Sequence, residues 1–126
     1  MTAYERAVEE LRRNAEQWTA FESEGHCVTL AGPGSGKTKV LTTKMARLLR
    51  ESVHAPRGIA CVTYNNECAR ELERRLGSIG VADSSNIFVG TLHRFCLRHI
   101  LRPLARVAQI KVPDPVAVAS ESAQSA

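Results

Sequence analysis

Ala31-Gly32-Pro33-Gly34-Ser35-Gly36-Lys37-Thr38 decides how the rest of the chain is read. It follows the apolar run Cys27-Val28-Thr29-Leu30 and opens a helix-patterned segment from Lys37 to Arg50. A strand, a glycine-rich turn and a helix start, in that order, form a phosphate-binding loop. The glycines let the backbone curl with its N–H groups inward and leave no Cβ in the path of a phosphate. The helix start adds amides without intrahelical partners and the positive end of the helix dipole. Lys37 would reach the β- and γ-phosphates as a point charge, and the Thr38 hydroxyl would ligate Mg²⁺. The strict pattern asks for Gly where Ala31 stands, so the assignment rests on the strand before the loop and the helix after it. The pattern predicts a nucleoside triphosphate site in which Gly32, Pro33, Gly34, Ser35, Gly36, Lys37, Thr38 and Lys39 surround the phosphates.

Working outward, 126 residues allow one domain at most. A hydrophobic content of 44% permits a packed core, and 5% aromatic residues favour an aliphatic core of the α/β kind over a β-sandwich. The net charge of +4 is compatible with nucleic acid without demonstrating it. Cys27, Cys61, Cys68 and Cys96 form no CxxC pair and no tight Cys/His cluster, which argues against zinc. Two fall in predicted strands and two in predicted helices, where a free thiol acts as a small apolar group. Tyr4-Glu5-Arg6 leads straight into a charged helix, and no apolar run reaches membrane length. A reduced, cytoplasmic protein is expected.

Tyr4, Val8, Leu11 and Ala15 repeat at helical spacing, so residues 3–13 read as an amphipathic helix. Asn14 interrupts and can cap a second helix over 15–24, with Trp18 and Phe21 available to pack. Gln17, three residues on, has two readings: it reaches back to complete a capping box, or its amide meets the edge of adenine. A strand is expected at 27–31 and a helix at 37–50 with Leu41, Met45, Leu48 and Leu49 inward. The run Gly58 to Tyr64 marks a strand buried on both faces of a parallel sheet. Asn65 or Asn66 can cap a helix that keeps Ala69, Leu72 and Leu76 inward and ends at Gly77 and Gly80. Asn86 to Gly90 is the third strand, and Thr91 caps a helix over about 91–102 that Pro103 stops or kinks. Three strand–helix alternations predict an open, mostly parallel sheet with right-handed crossovers, and phosphate beyond the carboxyl ends of its strands. Beyond Ile110, Pro113-Asp114-Pro115 reads as a turn and Val116 to Ala119 as a short strand. The domain is therefore placed at 1–110, and 111–126 is expected to be a weakly ordered or truncated tail.

Three stretches together resemble the start of a superfamily 1 DNA helicase of the UvrD/Rep/PcrA type. Asn14-Ala15-Glu16-Gln17 resembles the Q motif, and the family's loop commonly opens with Ala, as Ala31 does here. Val62-Thr63-Tyr64-Asn65-Asn66-Glu67-Cys68-Ala69-Arg70-Glu71-Leu72 resembles motif Ia, and Gly90-Thr91-Leu92-His93-Arg94-Phe95-Cys96 resembles motif Ib. The match covers about residues 11 to 105. The resemblance implies an α/β, P-loop NTPase fold of the RecA-like type, here an incomplete, mostly parallel sheet with flanking helices. It implies ATP and Mg²⁺ as cofactors, Gln17 on adenine, and Lys37 and Thr38 in catalytic roles. Thr63, Tyr64 and Asn66 would line a single-stranded DNA track, and Thr91 and His93 would touch its backbone. Tyr64 stands where the family has Phe; it could stack on a base or pack on its own sheet. Glu67 replaces a usual lysine, Asn65 a threonine, Leu92 an aromatic residue and Arg94 a serine, and Arg13 stands where a leucine is common.

A working helicase also needs a carboxylate pair after a later strand, and arginines from a second RecA-like domain. Asp83 and Asp114 are the only aspartates, and no apolar run ends in Asp-Glu. The chain is accordingly read as the N-terminal, ATP-binding part of a helicase that translocates 3′ to 5′ and unwinds DNA. By itself it is expected to bind nucleotide at most, to need the remaining helicase domains, and to self-associate through an open sheet edge. The front end of a helicase–nuclease subunit and a natural non-catalytic nucleotide- or DNA-binding module are the alternatives. Arg94, Arg98, Arg102 and Arg106 recur every fourth residue with no acidic residue between Asp83 and Asp114. Such a stripe fits a phosphate backbone, acidic residues of another domain, or a solvated face.

Overall fold

The computed structural model describes residues 1–32, 34, 36–81, 86–109 and 111. The turn and strand expected beyond Lys111, and Pro33 and Ser35 of the loop, lie outside the described residues.

Three helices form an N-terminal layer. Helix α1 (Ala3–Arg12) starts at a reciprocal capping box between Thr2 and Glu5, and α2 (Ala15–Glu22) starts at Asn14. Helix α3 (Lys37–Glu51) packs against both. Leu11, Phe21 and Val40 are buried where the three meet, with Val8 and Trp18 packed around them. Lys44 fastens the same corner, its ammonium donating to the Ala20 carbonyl and the Ser23 hydroxyl. The inward face of α3 differs from the expected Leu41 stripe: Val40, Thr42, Thr43, Met45 and Ala46 are buried, while Leu41 is exposed. Helix α3 is covered on more than one side, by α1 and α2 and also by α4, so the period of its leucines alone misplaces its face. The hydroxyls of Thr42 and Thr43 avoid an unpaired burial cost by donating to the Thr38 and Lys39 carbonyls.

The sheet is parallel. Strand β1 (Ile59–Thr63) pairs with β2 (Ile87–Thr91) in register from Ile59↔Ile87 to Thr63↔Thr91, and α4 (Asn66–Ser78) is the crossover. Strand residues alternate in facing. Ile59, Cys61, Ile87 and Val89 meet Leu72 and Leu76 of α4 and Met45 of α3 in the second core cluster. Phe88 points to the other face and stacks edge-on against Phe95 and His99.

Several expectations are corrected. The apolar run 27–31 forms no strand, and Val28 and Leu30 are 87% and 93% exposed. A strand exists through ladder partners, and no described segment pairs with this one, so hydrophobicity alone does not order it. The sheet has two described strands rather than three. Strand β1 is buried on one face, with Val62 41% exposed on the other. Of the cysteines only Cys61 is buried; Cys27 lies in no strand, and Cys68 and Cys96 are helical but exposed. Helix α4 runs through Gly77, to Ser78. Pro103 neither stops nor ends the last helix: α5 (Leu92–Cys96) passes through a π-helical segment (Leu97–Leu101) into α6 (Arg102–Ala105). The Arg102 amide donates to the Leu97 carbonyl, an i to i−5 bond that widens the turn just before the proline ring needs room.

Candidate functional site: the glycine-rich loop and the carboxyl edge of the sheet

The loop turns into α3 through two glycines in the left-handed region, Gly34 at φ 75° and Gly36 at φ 84°. Gly36 is the N-cap and has no side chain to satisfy the helix start. The first helical hydrogen bond is from the Val40 amide to the Gly36 carbonyl, at 3.1 Å. The amides of Lys37, Thr38 and Lys39 therefore precede the helical ladder, at the positive end of the dipole. Lys37 is exposed, and Thr38 is half-buried behind it.

Gln17 reaches this loop. Asn14 Oδ1 accepts from the amides of Glu16 and Gln17, both at 3.1 Å, so Asn14 makes the cap of α2. The Gln17 side chain lies against the Gly36 backbone: a Cβ added at Gly36 would stand 2.5 Å from Gln17 Nε2. The Gln17 amide is therefore seated beside the glycine-rich loop. The Lys39 ammonium pairs with the Glu10 carboxylate of α1, so its side chain is held toward α1. Sequence reasoning missed Glu10 because ion pairs between distant chain segments leave no local pattern.

Below the loop lies a cavity of about 430 Å³, lined by Cys27 and Thr29 on one side, Lys37 and Met45 of α3, and Cys61 of β1. Contact with the Ser23 and Thr29 hydroxyls holds the Cys27 thiol below its ordinary range, and burial pushes the Cys61 thiol above it. The donor set suits a polyphosphate: amides at a helix start, two glycines without Cβ, and one ammonium. Among the described residues no group of three His, Cys, Asp or Glu side chains is gathered to hold a metal.

The other predicted residues collect at the carboxyl ends of the two strands. Thr63 and Thr91 face each other at the last rung of the ladder. Thr63 donates its hydroxyl to the Asn65 carbonyl at 2.9 Å, and Thr91 accepts the Arg94 amide at 3.3 Å as cap of α5. Asn65 is the cap of α4, accepting from the Cys68 amide at 2.8 Å, which leaves Asn66 as the first helical residue. Tyr64 is 97% exposed and so does not pack on its own sheet. Asn66, two residues on, and His93, two residues after Thr91, are exposed as well.

Residues 13–124 match the UvrD/REP helicase N-terminal domain family. The chain is 40% identical over 97 residues to the ATP-dependent DNA helicase Rep of Escherichia coli (strain K12), a match covering 75% of this chain and 14% of that protein. It is 38% identical over 92 residues to the ATP-dependent DNA helicase PcrA of Bacillus subtilis (strain 168), covering 73% and 12% respectively. The chain belongs to the UvrD/REP helicase N-terminal domain family. It spans no more than 14% of the length of either relative.

Proposed function

We propose that this chain is the nucleotide-holding front of an ATP-dependent DNA helicase, with Mg·ATP seated at the glycine-rich loop. Gly32, Pro33, Gly34, Ser35 and Gly36 would wrap the phosphates in amides, with the Lys39 amide joining them from the first turn of α3. Lys37 would neutralise the β- and γ-phosphates, and Thr38 would ligate Mg²⁺. The Gln17 amide would fix adenine from its seat on the loop. Thr63, Tyr64, Asn66, Thr91 and His93 would form a sequence-tolerant track for single-stranded DNA at the carboxyl edge of the sheet. The fold is that of a P-loop NTPase, and the activity of the whole protein is ATP-driven 3′ to 5′ translocation and unwinding. The remaining helicase domains would supply the carboxylate pair and the charge-stabilising arginines, so this chain alone binds nucleotide without useful hydrolysis.

The observation that carries the reading is the pair of left-handed glycines leading into α3 with the Gln17 amide packed on the second of them. Calorimetry with Mg·ATP on the chain and on Lys37→Ala tests it. Binding in the chain, lost in the variant, is the expected result; equal binding by both would sink the assignment of the loop.

A further inference from the structure

The helix after β2 presents a row of cations that the nucleotide loop does not use. In an unbroken α-helix, side chains four residues apart precess by about 40° at each step, so a long i, i+4 row winds off its face. Arg94, Arg98, Arg102 and Arg106 span a helix in which the segment Leu97–Leu101 is π-helical. Each residue of an i to i−5 turn covers less rotation, which counters the drift along the row; Arg98 borders the cavity at the Gly58 and Asn86 end of the sheet. The same π segment leaves Phe95 and His99 together on the sheet side, stacked on Phe88.

All four arginines are exposed, and among the described residues none has a carboxylate within ion-pair distance. Other arginines have partners: Arg74 and Arg75 share Glu71, and Arg12, Arg47 and Arg50 lie over Trp18, Phe21 and Tyr4; Arg6, Arg13, Arg57 and Arg70 are exposed like the row but scattered rather than spaced every fourth residue. Residues 86–111 contain no acidic side chain. An unneutralised row of regularly spaced cations complements a polyanion with regularly spaced charges. The row begins at Arg94, whose amide is bound by the Thr91 cap, so it starts where the proposed track ends.

We propose that Arg94, Arg98, Arg102 and Arg106 extend the nucleic-acid surface along the flank of this helix, each contacting a backbone phosphate of a single strand that leaves the carboxyl edge of the sheet. This rests on the reading of Thr91 and His93 as strand contacts. It assigns affinity and salt dependence to the row, without sequence preference.

The test is fluorescence anisotropy with a labelled oligothymidylate of about 16 nucleotides, titrated with the full chain from about 50 to 200 mM salt. The variants are Arg98→Gln/Arg102→Gln, Arg98→Lys/Arg102→Lys, and His93→Ala. The glutamine pair is expected to flatten the slope of log affinity against log salt by about 1.4, at about 0.7 for each single-strand phosphate released. The lysine pair should keep the slope, and helical circular dichroism should be unchanged in both. A wild-type slope in the glutamine pair, with binding weakened by His93→Ala, overturns the row and leaves the track standing. No binding by the wild-type chain overturns both. A loss confined to poly-glutamate, measured in parallel, reassigns the row to an acidic protein partner and overturns the proposal.

Discussion

Thr63 and Thr91 are partners on the last rung of the parallel ladder, which brings two motifs distant in sequence to one edge. Parallel pairing makes both strands end on the same side, and each then hands its chain to a helix capped at that edge by Asn65 or Thr91. The residues that follow are displayed there without being packed. Neither motif alone indicates this arrangement.

Tyr64 stands on that edge with its ring in solvent. Tyr64→Ala should leave the urea midpoint within error of wild type, because no packing is lost. It should weaken oligothymidylate binding by about 1–3 kcal/mol if the ring stacks on a base. Anisotropy and denaturation on the same preparation separate the two. A large stability loss with unchanged binding would make Tyr64 a structural residue.

Gly36 combines a left-handed backbone with the Gln17 amide directly against it. Gly36→Ala should lose about 1–2 kcal/mol of stability from backbone strain alone, and its methyl group must also displace Gln17. In a Gln17→Ala background the same substitution should be milder, retaining the backbone part and losing the contact part. Thermal melts of the four proteins form the cycle. Additive effects would show that the two residues do not touch in solution.

The two extreme thiols should separate in a reactivity profile. Cys27 is exposed, and the Ser23 and Thr29 hydroxyls favour its thiolate, so its iodoacetamide rate should exceed that of a free thiol near neutral pH. Ser23→Ala should move that profile to higher pH. Cys61 is buried and its thiol titrates above the ordinary range, so it should react only on unfolding. With a folded value above the unfolded one, its contribution to stability is complete below about pH 8.5, the ordinary thiol value, and is lost as pH rises toward the folded value. Mass spectrometry of alkylated peptides across pH reads both; equal rates at Cys27 and Cys61 would contradict the packing.

Leu76 joins α4 to both strands and is 2% exposed. Leu76→Ala should cost about 2–5 kcal/mol in urea denaturation, from lost transfer energy and the cavity left behind. A loss below about 0.5 kcal/mol, the range of surface substitutions, would mean that this face of the sheet is not closed.

The sequence by itself determined the elements whose signals are local. Helix starts at Asn14 and Thr91 follow from side chains that accept from amides two or three residues on. The inward face of α4 follows from the period of Ala69, Leu72 and Leu76, and the loop follows from glycines placed before a helix start. Tertiary structure decided what depends on distant partners. The 27–31 run has the apolar character of a strand, but a strand is stabilised by neighbours that periodicity does not name, and none of the described residues supplies one. The same holds for the inward face of α3, set by what covers it, and for the contact of the Gln17 amide with Gly36, which joins segments distant in sequence. The π turn before Pro103 belongs here too, because a missing N–H and a ring clash can be met by widening a helix as well as by ending it.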